Sequence, residues 1–418
     1  MHRFFKLLLP IFLALPIVIF QIFETEIPLS DLVLAAGFGY LLISLNTKAA
    51  LYFIVVVIFA LLSVIWTQLE IGNNYGFRPY LSVIFFLKPL LGYFAARGIV
   101  KTNADHIVVI RALSLGMSVA IVSIFADVMV NFSGISRDDS FINGSVLGIT
   151  QYATYGVNSA ASYYFVMFAV ILYSLTKLPN NRFFQYFYIL ALSCCAYLIL
   201  GSLSREVILG FAFFIYLFYL TCVASVKRRL LLFFAISSVI FSYFFAGQIL
   251  ESEFLNAKIN QVIDGWAIGD LNHITSGRIE LYEVALNQIL QSPVVGTGFH
   301  GYQLLPELIS FDMDPVGLSP HNQYLTTIWK GGLVFLIAYY LNLLFLLKKS
   351  KVLLPKIRQF DSLSIYVVCV LLILANVWDV LMVANFGAAF FFILGVLEAR
   401  ENKGVLESRK TVLRQLNA

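Results

Sequence analysis

Residues 49–67 read Ala-Ala-Leu-Tyr-Phe-Ile-Val-Val-Val-Ile-Phe-Ala-Leu-Leu-Ser-Val-Ile-Trp-Thr, with no charged group in the run. Wound as a helix, such a stretch is long enough to cross the ~30 Å hydrocarbon layer of a bilayer. A window of about 19 residues finds similar runs to either side, about twelve in all. They lie near Phe5–Ile22, Leu29–Leu45, Ala49–Thr67, Pro79–Ala96, Ile107–Val130 and Val157–Leu175. The series continues near Phe184–Leu200, Val207–Ser225, Leu230–Ala246, Thr326–Leu347, Leu363–Val377 and Val380–Leu397. Composition agrees, with 60% hydrophobic and 12% charged residues and a mean hydropathy of +0.87. The expected fold class is all-α, a polytopic integral membrane protein, because the short alternating strands of a membrane β-barrel are not seen in the sequence. The first run begins with Arg3 and Lys6 like a signal peptide. No small-residue cleavage site precedes Phe23-Glu24-Thr25-Glu26, so a retained helix is expected.

Orientation follows from the basic residues. With the N-terminus inside, all but seven of the 28 Lys and Arg fall in internal segments, including Lys48, Arg97, Lys101, the Lys227-Arg228-Arg229 run and the Lys348–Arg358 cluster. The seven exceptions are Arg78, Lys88, Arg137, Arg205, Lys258, Arg278 and Lys330. Of the 23 acids only Asp105, Asp361, Glu398, Glu401 and Glu407 are inside. The formal charge of +5 thus reflects inward anchoring rather than nucleic-acid binding, and the few external arginines stand in an acidic setting. All four cysteines (Cys194, Cys195, Cys222, Cys369) fall in apolar runs, which favours packing over disulfides or zinc. The division expected is transmembrane helices over 1–247, a large external loop over 248–325, further transmembrane helices over 326–397 and a solvated tail over 398–418.

Three external segments are candidates for function: Asn131–Gly156, the turn Gly201–Glu206, and Gln248–Leu325. In the last, Thr275-Ser276 can cap a helix over roughly Gly277–Gln291. This places Arg278 in a first turn, where unpaired N–H groups and a guanidinium together suit an anion; pairing to Glu280 or Glu283 is the competing reading. Pro293 ends that helix, and Gly296 and Gly298 permit a sharp turn or a close backbone approach. His321, after Pro320, stands at the entry to the next span, where a neutral imidazole can take a proton from a hydroxyl; an interfacial histidine bonded to a carbonyl is the plainer alternative. Asn322 can orient that ring or bind a sugar hydroxyl. Arg205 and Glu206 sit where one span turns into the next, and a guanidinium there needs an anion or acid as partner. Lys88, near mid-span before Pro89, needs protein or water around it, or an acid from another span. Asp312-Met313-Asp314 resembles the D-x-D that some sugar-nucleotide transferases use for a metal, with a solvated turn before Pro315 as the plainer reading; no metal and no cofactor are expected.

Together, Ser276-Gly277-Arg278, Pro293-x-x-Gly296-x-Gly298, His321-Asn322-x-Tyr324-Leu325, the following Gly331-Gly332 and Ser204-Arg205 resemble the O-antigen ligase/polymerase superfamily of bacterial envelope glycosyltransferases. The likeness is sharpest over Leu200–Leu336 and elsewhere is one of span pattern. It implies a GT-C-like, metal-independent enzyme of the bacterial inner membrane with its active site facing the periplasm. The donor implied is an oligosaccharide on undecaprenyl diphosphate, and chain-length regulator and flippase proteins are implied as further partners. The resemblance assigns Arg205 and Arg278 to the diphosphate and His321 to the acceptor hydroxyl, with Asn322, Arg137, Lys88 and Glu206 as further candidates for substrate binding. Glu206 departs from the small or hydroxyl residue common in relatives. Arg137-x10-Gly148 in an external loop, together with the large loop, is similar to the polymerases, which join lipid-linked repeats, although Arg278 lacks the same spacing to glycine. The ligases, which move the finished chain to lipid A-core, are the alternative within the superfamily. A lipid-linked-sugar flippase or transporter is the alternative of another class, to which Lys88 and proline-broken spans are suited; paired repeats, frequent in transporters, are not seen.

Overall fold

The computed structural model describes residues 2–15, 18–22, 25–71, 78–125, 156–202, 204–221, 253–275, 278–299, 320–352, 361–377, 381 and 386–399. Helices dominate. In chain order they are α1 (His2–Ala14), α2 (Ser30–Ile43), α3 (Lys48–Ile71), α4 (Arg78–Leu87), α5 (Leu91–Ile99), α6 (Asn103–Phe125), α7 (Gly156–Lys177), α8 (Arg182–Gly201) and α9 (Arg205–Thr221). The large loop contributes α10 (Glu253–Ile268), α11 (Leu271–Ile274) and α12 (Arg278–Gln291). Then come α13 (Gln323–Lys349), α14 (Ser362–Cys369), α15 (Ala375–Val377) and α16 (Phe386–Ala399).

Among the described residues five stretches are long and apolar enough to cross a membrane: Lys48–Leu69, Pro79–Ile99, Asn103–Phe125, Arg182–Leu200 and Gln323–Lys349. Shorter apolar helices lie at Phe4–Ala14, Ser30–Ile43, Ala161–Lys177, Ser362–Leu374 and Phe386–Ala399. This is the architecture of an integral membrane protein. The expected span Leu230–Ala246 lies outside the described residues, as does Cys222. Cys194, Cys195 and Cys369 are free and buried.

Helix α3 shows how the bundle meets its surroundings. Leu51, Ile58, Leu62 and Ile65 recur at helical spacing and are exposed, whereas Phe53, Val56, Ala60 and Val64 on the other face are buried against the bundle. An exposed apolar stripe of this kind is costly in water and natural against lipid tails. Inside the bundle α3 packs on α13, α1 on α6, α2 on α5, and α7 on α8. Close backbone contacts tighten the α2–α5 pair, since a Cβ at Gly37 would lie 2.1 Å from the carbonyl oxygen of Leu91.

The first span differs from expectation. Helix α1 stops at Ala14, and Val18–Ile22 pairs antiparallel with Thr25–Pro28 as a small hairpin, β1 and β2. Pro16 explains the stop, because it lacks an N–H and disfavours helix at Leu15; the β-branched Val18, Ile19 and Ile22 then favour strand. The span around Lys88 is also remodelled. Pro89 converts Lys88–Leu90 to one 3-10 turn between α4 and α5. Near the C-terminal end, Val370–Leu374 forms a π-helical turn between α14 and α15.

Candidate active site at the heads of three helices

The Ser204-Arg205-Glu206 turn starts α9. Ser204 donates its backbone N–H to the Ser202 hydroxyl (3.2 Å) and its own hydroxyl to Glu206 Oε2 (3.1 Å). Successive side chains on a helix diverge, and they do so here. Arg205 reaches the carbonyl of Ile274 at the end of α11 (3.2 Å), while Glu206 Oε1 forms an ion pair with Arg278 in the first turn of α12. Among the described residues Arg278 thus pairs with Glu206, 72 residues away in sequence, rather than with the local Glu280 or Glu283. The Arg278 and Glu206 side chains are 22% and 14% exposed, so the pair sits at a boundary that an anionic ligand can reach. Residues 276 and 277, which complete the Ser-Gly-Arg motif, lie outside the described residues.

The glycine motifs form one structure. In α13, Gly332 adopts φ 67° and ψ −175°, a conformation essentially confined to glycine, and it interrupts the helical hydrogen-bond ladder. The N–H groups of Leu333 and Val334 would ordinarily bond to the carbonyls of Trp329 and Lys330. They bond instead to the carbonyls of Pro293 (2.9 Å) and Val294 (3.3 Å). The two carbonyls released in α13 accept from Thr297 N–H (2.9 Å) and Gly298 N–H (2.9 Å). Two intrahelical bonds are thus replaced by four between the segments, and the backbone at the break stays satisfied within the membrane-spanning helix. Ser63, set in the apolar α3, donates its hydroxyl to the same Lys330 carbonyl (2.9 Å). A Cβ at Gly332 would stand 2.2 Å from Val294 O, and one at Gly296 would stand 2.4 Å from Gly332 N. Both positions require glycine because backbone meets backbone there.

This splice sets the direction of α12 relative to α13. Gln288 Oε1 accepts from the indole N–H of Trp329, and farther along Pro293 and Val294 meet Leu333 and Val334. From Gln288–Trp329 to Pro293–Leu333 and Val294–Val334 the partners ascend together, before Thr297 and Gly298 fold back to Trp329 and Lys330, so the C-terminal end of α12 runs along α13 in its direction. Their N-terminal ends, with Arg278 on one and His321-Asn322 on the other, consequently face the same end of the bundle.

Asn322 is the N-cap of α13, its side-chain oxygen accepting from the N–H groups of Tyr324 (3.0 Å) and Leu325 (3.1 Å). Its amide N–H2 donates to the Asn376 carbonyl (2.8 Å), and the Tyr324 hydroxyl donates to the Leu371 carbonyl within the π-helical turn (2.8 Å). The motif is thereby fastened to the π-helical turn and to α15. Asn322 was expected to orient the ring or bind sugar; its cap and tether set the backbone on which His321 is carried. His321 has a left-handed backbone with φ 50°, is half-buried, and has a buried Nδ1. Holding a non-glycine residue there costs about 1 kcal/mol, and strain of that sort is a pointer to function.

Lys88 is engaged by α2. Its ammonium bridges both carboxylate oxygens of Asp31 on α2 at 3.1 Å and stands 4.9 Å from the Phe85 ring centre. Asp31 is the acid from another span that the mid-membrane lysine required. Arg137 and the Asp312-Met313-Asp314 run lie outside the described residues. Local reading missed Gln288, Ser63 and Gln323; the last is buried and accepts Leu381 N–H at 3.1 Å. Only Ser63 carried a signal, as the serine in an otherwise apolar stretch.

A comparison with protein families finds that the O-antigen ligase family model matches residues 189–340. The matched segment supports a likeness to the O-antigen ligase/polymerase superfamily. The O-antigen ligase match begins in α8 and runs into α13, so it contains the α9 turn, α12, the glycine splice and the His321 motif. A comparison with curated proteins finds no significant match.

Proposed function

We propose that the protein is a surface-polysaccharide polymerase: an inverting glycosyltransferase that moves a glycan from undecaprenyl diphosphate to a hydroxyl of another lipid-linked repeat at the periplasmic face. The reading is carried by the joint placement of Arg205, Arg278 and His321 at one end of the bundle, on the heads of α9 and α12 and just before α13. A diphosphate is already a good leaving group, so positioning and charge stabilisation supply most of what the reaction needs. The two guanidinium groups grip the diphosphate oxygens through charge-assisted hydrogen bonds. Arg278 does so by exchanging the Glu206 carboxylate for the ligand. A diphosphate, offering several charge-assisted acceptors, can take the place of that single carboxylate. His321, neutral, accepts the proton of the acceptor hydroxyl as its oxygen attacks the anomeric carbon. The C–O bond to the diphosphate breaks on the opposite face, and the configuration inverts.

Replacing His321 by Ala in purified enzyme is expected to abolish transfer while lipid-diphosphate binding persists. Transfer near the wild-type rate would remove the imidazole from this role. The matched family's description favours a second reading, ligation of the finished chain to lipid A-core. A deletion strain separates the two: loss of a polymerase leaves one repeat on the core, and loss of a ligase leaves none.

A further inference from the structure

At the other end of the bundle the ends of α2, α3, α5, α13 and α16 enclose a cavity of about 280 Å³. Asn322 and Lys349 bound the 27-residue α13, so along that helix the cavity lies roughly 40 Å from the candidate active site. Its wall carries three cations, Lys48, Arg97 and Lys349, against one carboxylate, Glu398. That carboxylate is engaged from within the protein: it accepts from the Tyr93 hydroxyl and lies 3.9 Å from Arg97 Nε. Lys48 and Lys349 are exposed, which leaves their ammonium groups accessible at the rim. A fourth cation, Lys101, rests on Tyr40, whose ring also lines the cavity, 4.4 Å from the ring centre and 3.3 Å from the hydroxyl. The remaining wall is partly aromatic, with Phe345 beneath Lys349 at 5.6 Å from the ring centre. The site therefore combines positive charge, hydrogen-bond donors and an apolar side among membrane-spanning helices. Scattered lysines that only anchor a bundle would need no cavity.

We propose that this cavity binds a phosphate-bearing head group, held by Lys48 and Lys349 with Arg97 and Lys101 supporting the field. The chemistry has two sources, an anionic phospholipid of the surrounding leaflet or a soluble phosphate ester. Basic pockets between spans at a membrane surface suit the first. The site is separate from the glycan-transfer reading and does not depend on it.

The test uses the full chain, purified and exposed to phosphatidylglycerol and phosphatidylcholine in equal amounts, with retained lipid measured by mass spectrometry. The wild type is expected to retain phosphatidylglycerol in preference, and the double variant Lys48→Ala/Lys349→Ala to lose that preference by about tenfold. The charge-keeping variant Lys48→Arg/Lys349→Arg should restore it, which separates charge from misfolding. Arg97 is left intact because it neutralises the buried Glu398. In the soluble arm, glycerol phosphate at equal concentration is added; displacement of the lipid by it identifies a soluble ester as the source. Equal retention of the two lipids by the wild type, with no binding of glycerol phosphate, would overturn the proposal. Unchanged preference in the alanine variant would overturn it equally.

Discussion

Two regions of the matched segment meet the same end of the bundle and are built in opposite ways. The splice between Pro293–Gly298 and the break in α13 is built on backbone, with every exchanged hydrogen bond at 2.9–3.3 Å, the Ser63 and Thr297 hydroxyls added to it, and no room for a Cβ at its crossing points. The Arg205–Glu206–Arg278 cluster is made of long charged side chains that remain partly exposed. Backbone contacts of the first kind cannot be traded for a ligand without breaking the helix ladder. Ion pairs of the second kind can. The glycines thus hold a frame, and the arginines are free to change partner within it.

Substitutions can break this contrast or sharpen it. The largest effect belongs to Gly332→Ala, which forces a side chain into a glycine-only conformation and against Val294 O. A loss of about 3 kcal/mol or more is expected, seen as a lower melting temperature together with lost transfer. A fully stable Gly332→Ala protein would show that the splice is dispensable. Next is Arg278→Ala, which should leave the melting temperature nearly unchanged while lowering donor affinity about 10- to 100-fold in a lipid-diphosphate binding assay. Unchanged donor affinity would end the clamp. Asn322→Ala removes the cap of α13 and its bond to Asn376, which should cost about 1 kcal/mol of stability and reduce kcat more than donor affinity. The smallest effect is that of Glu206→Gln. Freed from its carboxylate partner, Arg278 should bind donor up to about fivefold more tightly, and a weaker affinity would mean that Glu206 contacts the sugar.

Local chemistry carried much of this in the sequence. The uninterrupted apolar run at residues 49–67 declared a span, and α3 covers it with one face buried and one exposed. Arg278 was placed in a helical first turn from the neighbouring cap and periodicity, and α12 starts there. The order of short motifs over Leu200–Leu336 pointed to the superfamily whose family model matches residues 189–340. What stayed hidden was pairing over distance. Glu206 meets Arg278, and Asp31 meets Lys88, across separations that no helical spacing rule covers. The joining of the two glycine motifs was likewise invisible, because glycine reports a permissive backbone without naming what approaches it. The hairpin after α1 was lost to a hydropathy window that averages over the Pro16 break.

The shared direction of α12 and α13, together with the contact of α9 on α12, sets three helix N-termini at one end of the bundle. Aligned peptide groups leave roughly half a unit of positive charge at each such end. This contribution needs no ionisable group and does not vary with pH. On the proposed reading, an enzyme stripped of both guanidinium groups would still draw an anionic leaving group toward the imidazole, only less firmly and with less choice among anions.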